Sequence, residues 1–126
     1  MPNRFSNVGY QRNIVNDGDC EVPVLIQYHG PVKNPIIYND TTGESIRINR
    51  ELTEKETLII NTAYGNETVD ILKADKTKEN VFNWIDLEHR DFFKLTFGSN
   101  IIRYSGDDES NKGTIDVEFA IAYGGV

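Results

Sequence analysis

The sequence predicts an all-β fold, an antiparallel β-sandwich, on three observations. Apolar residues recur at every second position in several runs, and Gly, Asn and Asp cluster between those runs. The length, 126 residues with 38% hydrophobic content, suits one domain that buries its own core. Period two places alternate side chains on opposite faces of a strand, as in a sheet with one face covered.

Taken in order, Met1 to about Asn13 is polar and turn-rich and reads as a linker arm, which leaves 14–126 as the sandwich domain. Asn16-Asp17-Gly18-Asp19 supplies a reversal. Val22 to His29 then reads as a strand. In Asn34 to Ile48 two hydrophobic runs flank Asn39-Asp40-Thr41-Thr42-Gly43-Glu44. Gly43 can take positive φ there without a Cβ clash, and Asp40 is expected to bond the backbone just ahead of it as an Asx turn. Ser45 to Asn49 alternates cleanly, and Thr57 to Asn61 and Thr68 to Lys73 are rich in β-branched residues, with Tyr64-Gly65-Asn66 turning between them.

Thr77 to Trp84 departs from this rhythm and predicts at most one short helical turn. Phe93 to Phe97 alternates again, with Phe93, Leu95 and Phe97 on one face, and Gly98-Ser99-Asn100 reads as its turn. The polar loop Gly106 to Gly113 is expected to be mobile or to dock a partner, with Asp107, Asp108 and Glu109 as its acidic tip. Ile115 to Tyr123 keeps period two longest.

Charge narrows the function. The net charge is −7, and the cations are scattered rather than gathered in a stripe. Nucleic acid and anionic membrane surfaces both call for such a stripe, so neither is an expected partner. No apolar run is long enough to span a bilayer. The opening MPNRFSNVGYQ lacks the apolar core of a signal peptide, so no export route is expected. One cysteine, Cys20, can build neither a disulfide framework nor a zinc site on its own.

No catalytic set stands out. Asp40 and Glu44 could serve a hydrolase as a carboxylate pair, but turn chemistry accounts for the same residues. His29 and His89 lack any short-spaced metal or protease pattern, and a dyad of either with Cys20 has no flanking motif behind it. Asp17, Asp19 and Asp107 to Glu109 do not match a calcium loop and read as solvated charge. The chain is therefore expected to be no enzyme, with no metal and no cofactor. Tyr64, Trp84 and Tyr104 lie near polar turns, where rings can stack on sugars, although Trp84 between Phe82 and Ile85 suits a core position better.

A resemblance sharpens this. Asn34-Pro35-Ile36-Ile37-Tyr38-Asn39-Asp40-Thr41-Thr42-Gly43-Glu44 is followed by Leu58-Ile59-Ile60-Asn61-Thr62, and later by Asp91-Phe92-Phe93-Lys94-Leu95-Thr96-Phe97-Gly98-Ser99-Asn100. With Asn16-Asp17-Gly18-Asp19 ahead of Pro23, this ordered set resembles the C-terminal domain of siphophage distal tail proteins. Those carry P-x-I-x-N-x-T-T-G-E, L-x-I-(D/N)-T and S-x-F-F-x-L-x-x-G-x-N in the same order. Asp91 stands where Ser is common there, a difference expected to touch only a turn.

The resemblance implies a galectin-like or carbohydrate-module-like jelly roll and a place at the virion tail tip, expressed in the bacterial cytoplasm from a phage or prophage. It implies contacts with other tail and baseplate proteins, with host-wall saccharide as the alternative ligand. It also implies a hexameric ring built by an N-terminal domain outside this chain, so the isolated piece is expected to be a monomer. It carries over no catalytic residue.

Overall fold

The structure, a computed structural model, describes residues 10–107 and 111–120. Its strands in chain order are β1 (Tyr10–Asn16), β2 (Leu25–His29), β3 (Val32–Lys33), β4 (Ile36–Asn39), β5 (Glu44–Ile48) and β6 (Glu51–Leu52). Then come β7 (Thr57–Asn61), β8 (Thr68–Leu72), β9 (Lys78–Asn80), β10 (Ile85–Arg90), β11 (Gly98–Ser105) and β12 (Thr114–Glu118). Two five-stranded antiparallel sheets, in the orders β1-β11-β4-β5-β10 and β12-β2-β7-β8-β9, form the sandwich, and β3 and β6 pair as a short ribbon.

The inward rows follow from the alternation. Ile37, Ile46, Ile48 and Ile102 of the first sheet meet Ile26, Leu58, Ile60, Ile71 and Ile115 of the second, all fully buried. Each such side chain contributes roughly 1.5–3 kcal/mol relative to exposure. Tyr28 of β2 crosses the layer and donates its hydroxyl to the Ser105 carbonyl of β11 at 3.1 Å, so its buried polar tip is satisfied. Burial, and then the neighbouring Tyr104, holds that phenol well above its ordinary pKa.

The predicted strands at Thr57–Asn61, Ser45–Asn49 and Thr68–Lys73 are β7, β5 and β8 to within a residue, and Val22 to His29 shortens to β2. Thr77 to Trp84 holds one short helical turn, as expected, a 3₁₀ turn at Phe82–Trp84, with β9 ahead of it. Three expectations change. Tyr10 to Asn13, read as arm, pair in unbroken register with Tyr104 to Ile101; the rest of that arm lies outside the described residues. The run Ile115 to Tyr123 is strand only as far as Glu118, and residues 121–126 lie outside the described part.

The third change is the largest. Phe93 to Phe97 is not a strand: Leu95 alone makes an isolated bridge, to Val22. Phe93 and Leu95 are buried, whereas Phe97 is 64% exposed. Gly98 to Asn100, read as a turn, opens β11 instead. The cause is Asn100, whose side chain takes the Thr96 N–H and returns a hydrogen bond to the Thr96 carbonyl, both at 2.9 Å. That pairing bends the backbone away from any ladder between Thr96 and Gly98.

Candidate functional site

The β4–β5 hairpin comes first, since it holds Asp40 and Glu44, the carboxylates that could serve a hydrolase. Asn39, rather than Asp40, organises the turn. Its Oδ1 accepts from the N–H groups of Thr41 and Thr42, and its carbonyl accepts from Gly43 N–H at 2.8 Å. Gly43 sits at φ +80°, a conformation that L side chains rarely adopt. Asp40 points the other way, receiving Arg103 Nε at 2.9 Å and Nη2 at 3.2 Å. The Asp40 carboxylate raises the Arg103 pKa further, and the guanidinium lies 3.9 Å from the centre of the Tyr38 ring. Both Asp40 oxygens are thus engaged by the guanidinium, and Glu44 stands opposite Asn39 in the ladder.

The sequence signatures turn out to be buried polar residues. Asn39 Nδ2 donates to Asn100 Oδ1 at 3.3 Å, which joins the Asn-x-Thr-Thr-Gly-Glu hairpin to the Gly-x-Asn segment sixty-one positions away. Asn16 is fully buried and donates to the carbonyls of Cys20 and Leu95 while accepting from Gly18 N–H. Thr62 Oγ1 takes the Val24 N–H at 2.8 Å and is itself fully buried. These side chains satisfy backbone groups that no ladder reaches, a need that burial makes strict.

The nucleophile and base candidates stay apart. His29 bonds Thr57 Oγ1 through Nδ1 and Asp116 through Nε2, at 3.1 and 2.9 Å. His89 Nδ1 shares a 2.8 Å hydrogen bond with Ser45 Oγ. The Cys20 thiol bonds its neighbour Asp19, and desolvation raises its pKa, the reverse of an activated thiolate. On the β10 bulge Asp86, Glu88 and His89 bring one ligand atom each within 4.8 Å of one another. Asp86 is already committed to Asn49 Nδ2 and to Glu88 N–H, and the Asn49 bond is the main reason its carboxyl lies below the ordinary range.

The three rings part company. Tyr104 is buried, 5% exposed, tilted under Tyr10 and edge-on to Tyr28, so it offers no face to a sugar. Trp84, better suited to the core on sequence, is 46% exposed at the end of the 3₁₀ turn. Arg50 lies 4.9 Å from its ring centre, held there by a two-pronged pair with Glu79 that Lys73 extends. Tyr64 is 60% exposed; its hydroxyl donates to Glu21 and Lys94 Nζ lies 4.3 Å from its ring centre. Each exposed ring thus already carries a cation on one face.

The acidic loop is pinned at its described start. Asp107 accepts from Asn34 Nδ2 at 2.8 Å, lies 3.7 Å from Arg47, and sends its N–H to the Lys33 carbonyl. Asp108 and Glu109 lie outside the described residues. A surface that the sequence reading missed is a groove of about 600 Å³ between the two sheets, lined by Arg12 and Ile14 of β1 and by Asp116, Val117 and Glu118 of β12. No signal for it exists along the chain, because its walls are more than a hundred residues apart.

A family described as siphovirus-type tail component, C-terminal domain, matches residues 17–123. No curated protein matches. A chain from the solved structure of the phage P2 baseplate in its activated conformation with Ca is 20% identical, with a TM-score of 0.45. That match covers 73% of this chain and 36% of the other, so this chain spans about a third of the length of its structural neighbour.

Proposed function

Because the chain belongs to the siphovirus-type tail component family, in its C-terminal domain, we propose that it is a docking module at the virion tail tip. In this reading a rigid sandwich presents edges and loops to neighbouring tail or host-recognition subunits, and the protein is a structural component rather than an enzyme. The observation that carries the reading is the fate of the polar signature residues. Asn16, Asn39, Thr62 and Asn100 are all fully buried and spent on hydrogen bonds to the backbone and, for Asn39 and Asn100, to each other, so they build a scaffold and leave none of their groups for substrate. Asp40, His29 and His89 are likewise tied to Arg103, Asp116 and Ser45.

The isolated chain is held to be a monomer, with hexamer formation left to a ring domain of the complete protein. Co-sedimentation of the purified chain with recombinant tail-tip subunits tests the docking role. Saturable binding to at least one subunit is expected; failure to bind any of them, across the whole assembled tip, would refute it.

A second reading, binding of host-wall saccharide, is favoured by the exposure of Tyr64 and Trp84. Calorimetric titration with purified wall polysaccharide separates the two. Heat that disappears in both Tyr64→Ala and Trp84→Ala would support the sugar site, and heat unchanged by either would remove these rings from it.

A further inference from the structure

We propose that the open side of the sandwich between β12 and β1 receives an extended segment of a neighbouring polypeptide, with basic and apolar residues alternating, which adds to β12 as a further strand. The proposal rests on the docking reading and names its surface.

The four sheet edges are unequal. β9 is three residues long and carries Lys78 and Glu79. β10 is interrupted, its register with β5 jumping between Ile85 and Arg90. Short, charged or bulged edges resist strand addition. The other side also carries charge, Arg12 on β1 and Asp116 and Glu118 on β12, but its strands are neither bulged nor as short as β9. β1 keeps unbroken register with β11 over seven residues, and β12 keeps it with β2 over five. Among the described residues, neither β1 nor β12 is paired on its outer side. Their shared groove is followed by a second, of about 350 Å³, lined by Pro23, Leu25 and Phe119, and the two meet at Glu118.

Register then specifies the occupant. Along β12, Thr114, Asp116 and Glu118 are exposed while Ile115 and Val117 face inward. A strand laid beside it sets every second residue against Asp116 and Glu118, and the residues between against Val117 and, across the groove, Ile14. The core is incomplete there, with Ile14, Val117 and Phe119 only partly buried. Asp116 is hydrogen-bonded to His29 Nε2 at 2.9 Å, whereas Glu118 enters no ion pair among the described residues. Basic side chains outward and apolar ones inward meet both demands. A second copy of this chain would bring the same acidic row and a further −7 of charge, so it is the poorer occupant.

Fluorescence anisotropy of a labelled nine-residue peptide alternating Lys and Val, titrated with the full chain, tests this. Two comparators are used: the Glu–Val counterpart, and the Lys–Val peptide N-methylated at every second residue. At least tenfold tighter binding of the unmodified Lys–Val peptide is expected. Glu118→Lys should weaken it about tenfold, and the charge reversal Glu54→Lys, on an exposed site away from the groove, by less than twofold. Equal binding of all three peptides, absence of binding, or equal effects of the two reversals would overturn the proposal. So would dimerisation of the free chain that Glu118→Lys abolishes, since the face would then serve self-association. Tail-tip binding of Glu118→Lys is measured separately. Retained tip binding with no peptide binding by the wild type would sink the groove and leave the docking role standing, whereas loss of tip binding by the wild type would sink the docking role itself.

Discussion

Asn100→Ala is the most demanding test of the scaffold. Asn100 is fully buried, with both lone pairs of Oδ1 used, by Thr96 N–H at 2.9 Å and Asn39 Nδ2 at 3.3 Å. Its two N–H bonds go to the Thr96 and Gly98 carbonyls at 2.9 and 3.0 Å, and the Ile14 carbonyl at 3.5 Å is a distant third. Truncation removes four good hydrogen bonds, each worth about 1 kcal/mol net, and strands their partners. The expected cost is about 3–4 kcal/mol, a large share of the roughly 5–15 kcal/mol that holds a domain of this size. Urea unfolding followed by circular dichroism should show a midpoint about 2 M lower at a slope near 1.5 kcal/mol/M. Asn100→Asp adds a check of the chemistry. Its carboxylate would face two carbonyls where N–H groups now donate, which raises its folded pKa above the unfolded value. The protonated acid is then the better-tolerated form, so Asn100→Asp should gain on the wild type as pH falls toward about 4, the unfolded value, and level off below it. A loss under about 1 kcal/mol in Asn100→Ala, or no pH dependence in Asn100→Asp, would refute the network.

Other outcomes follow from the same geometry. Phe93→Ala, at a buried ring, should cost about 3–5 kcal/mol, while Phe97→Ala should stay within about 0.5 kcal/mol in the same titration. Gly30→Ala would set a Cβ 2.1 Å from the Thr53 carbonyl oxygen, and the forced shift should lower Tm by roughly 5–10 °C in calorimetry. Glu79, held at a pKa of about 2 by Arg50 and then Lys73, stabilises above its ordinary value and loses that benefit as pH falls from about 4.5 toward 2. The gap between wild type and Glu79→Gln should be constant above about pH 5 and close by about pH 2; a gap that widened on acidification would reverse the reasoning. Asp40→Asn should change stability by no more than about 1 kcal/mol, because the Arg103 pair is partly exposed. Wall hydrolysis by the wild type that vanished in Asp40→Asn would restore Asp40 as an acid.

Much of this protein was legible along the chain. Strands β5, β7 and β8, the Gly43 turn and the family all follow from local properties: the pleat makes period two visible, and a positive φ calls for glycine within a few positions. Tertiary structure decided which polar residues went inside. Asn39 looked like a turn residue and Asn100 like another, yet they meet across the sandwich and hold each other buried. It also decided that Phe97 and Trp84 stand out in solvent while Tyr104 lies under Tyr10, against their apolar or turn-flanked settings. Alternation reports only that successive side chains point in opposite directions. Whether a given side is covered depends on segments brought in from elsewhere in the chain, and so does the meeting of β12 and β1 at one groove. Long-range packing sets both, and no residue carries it alone.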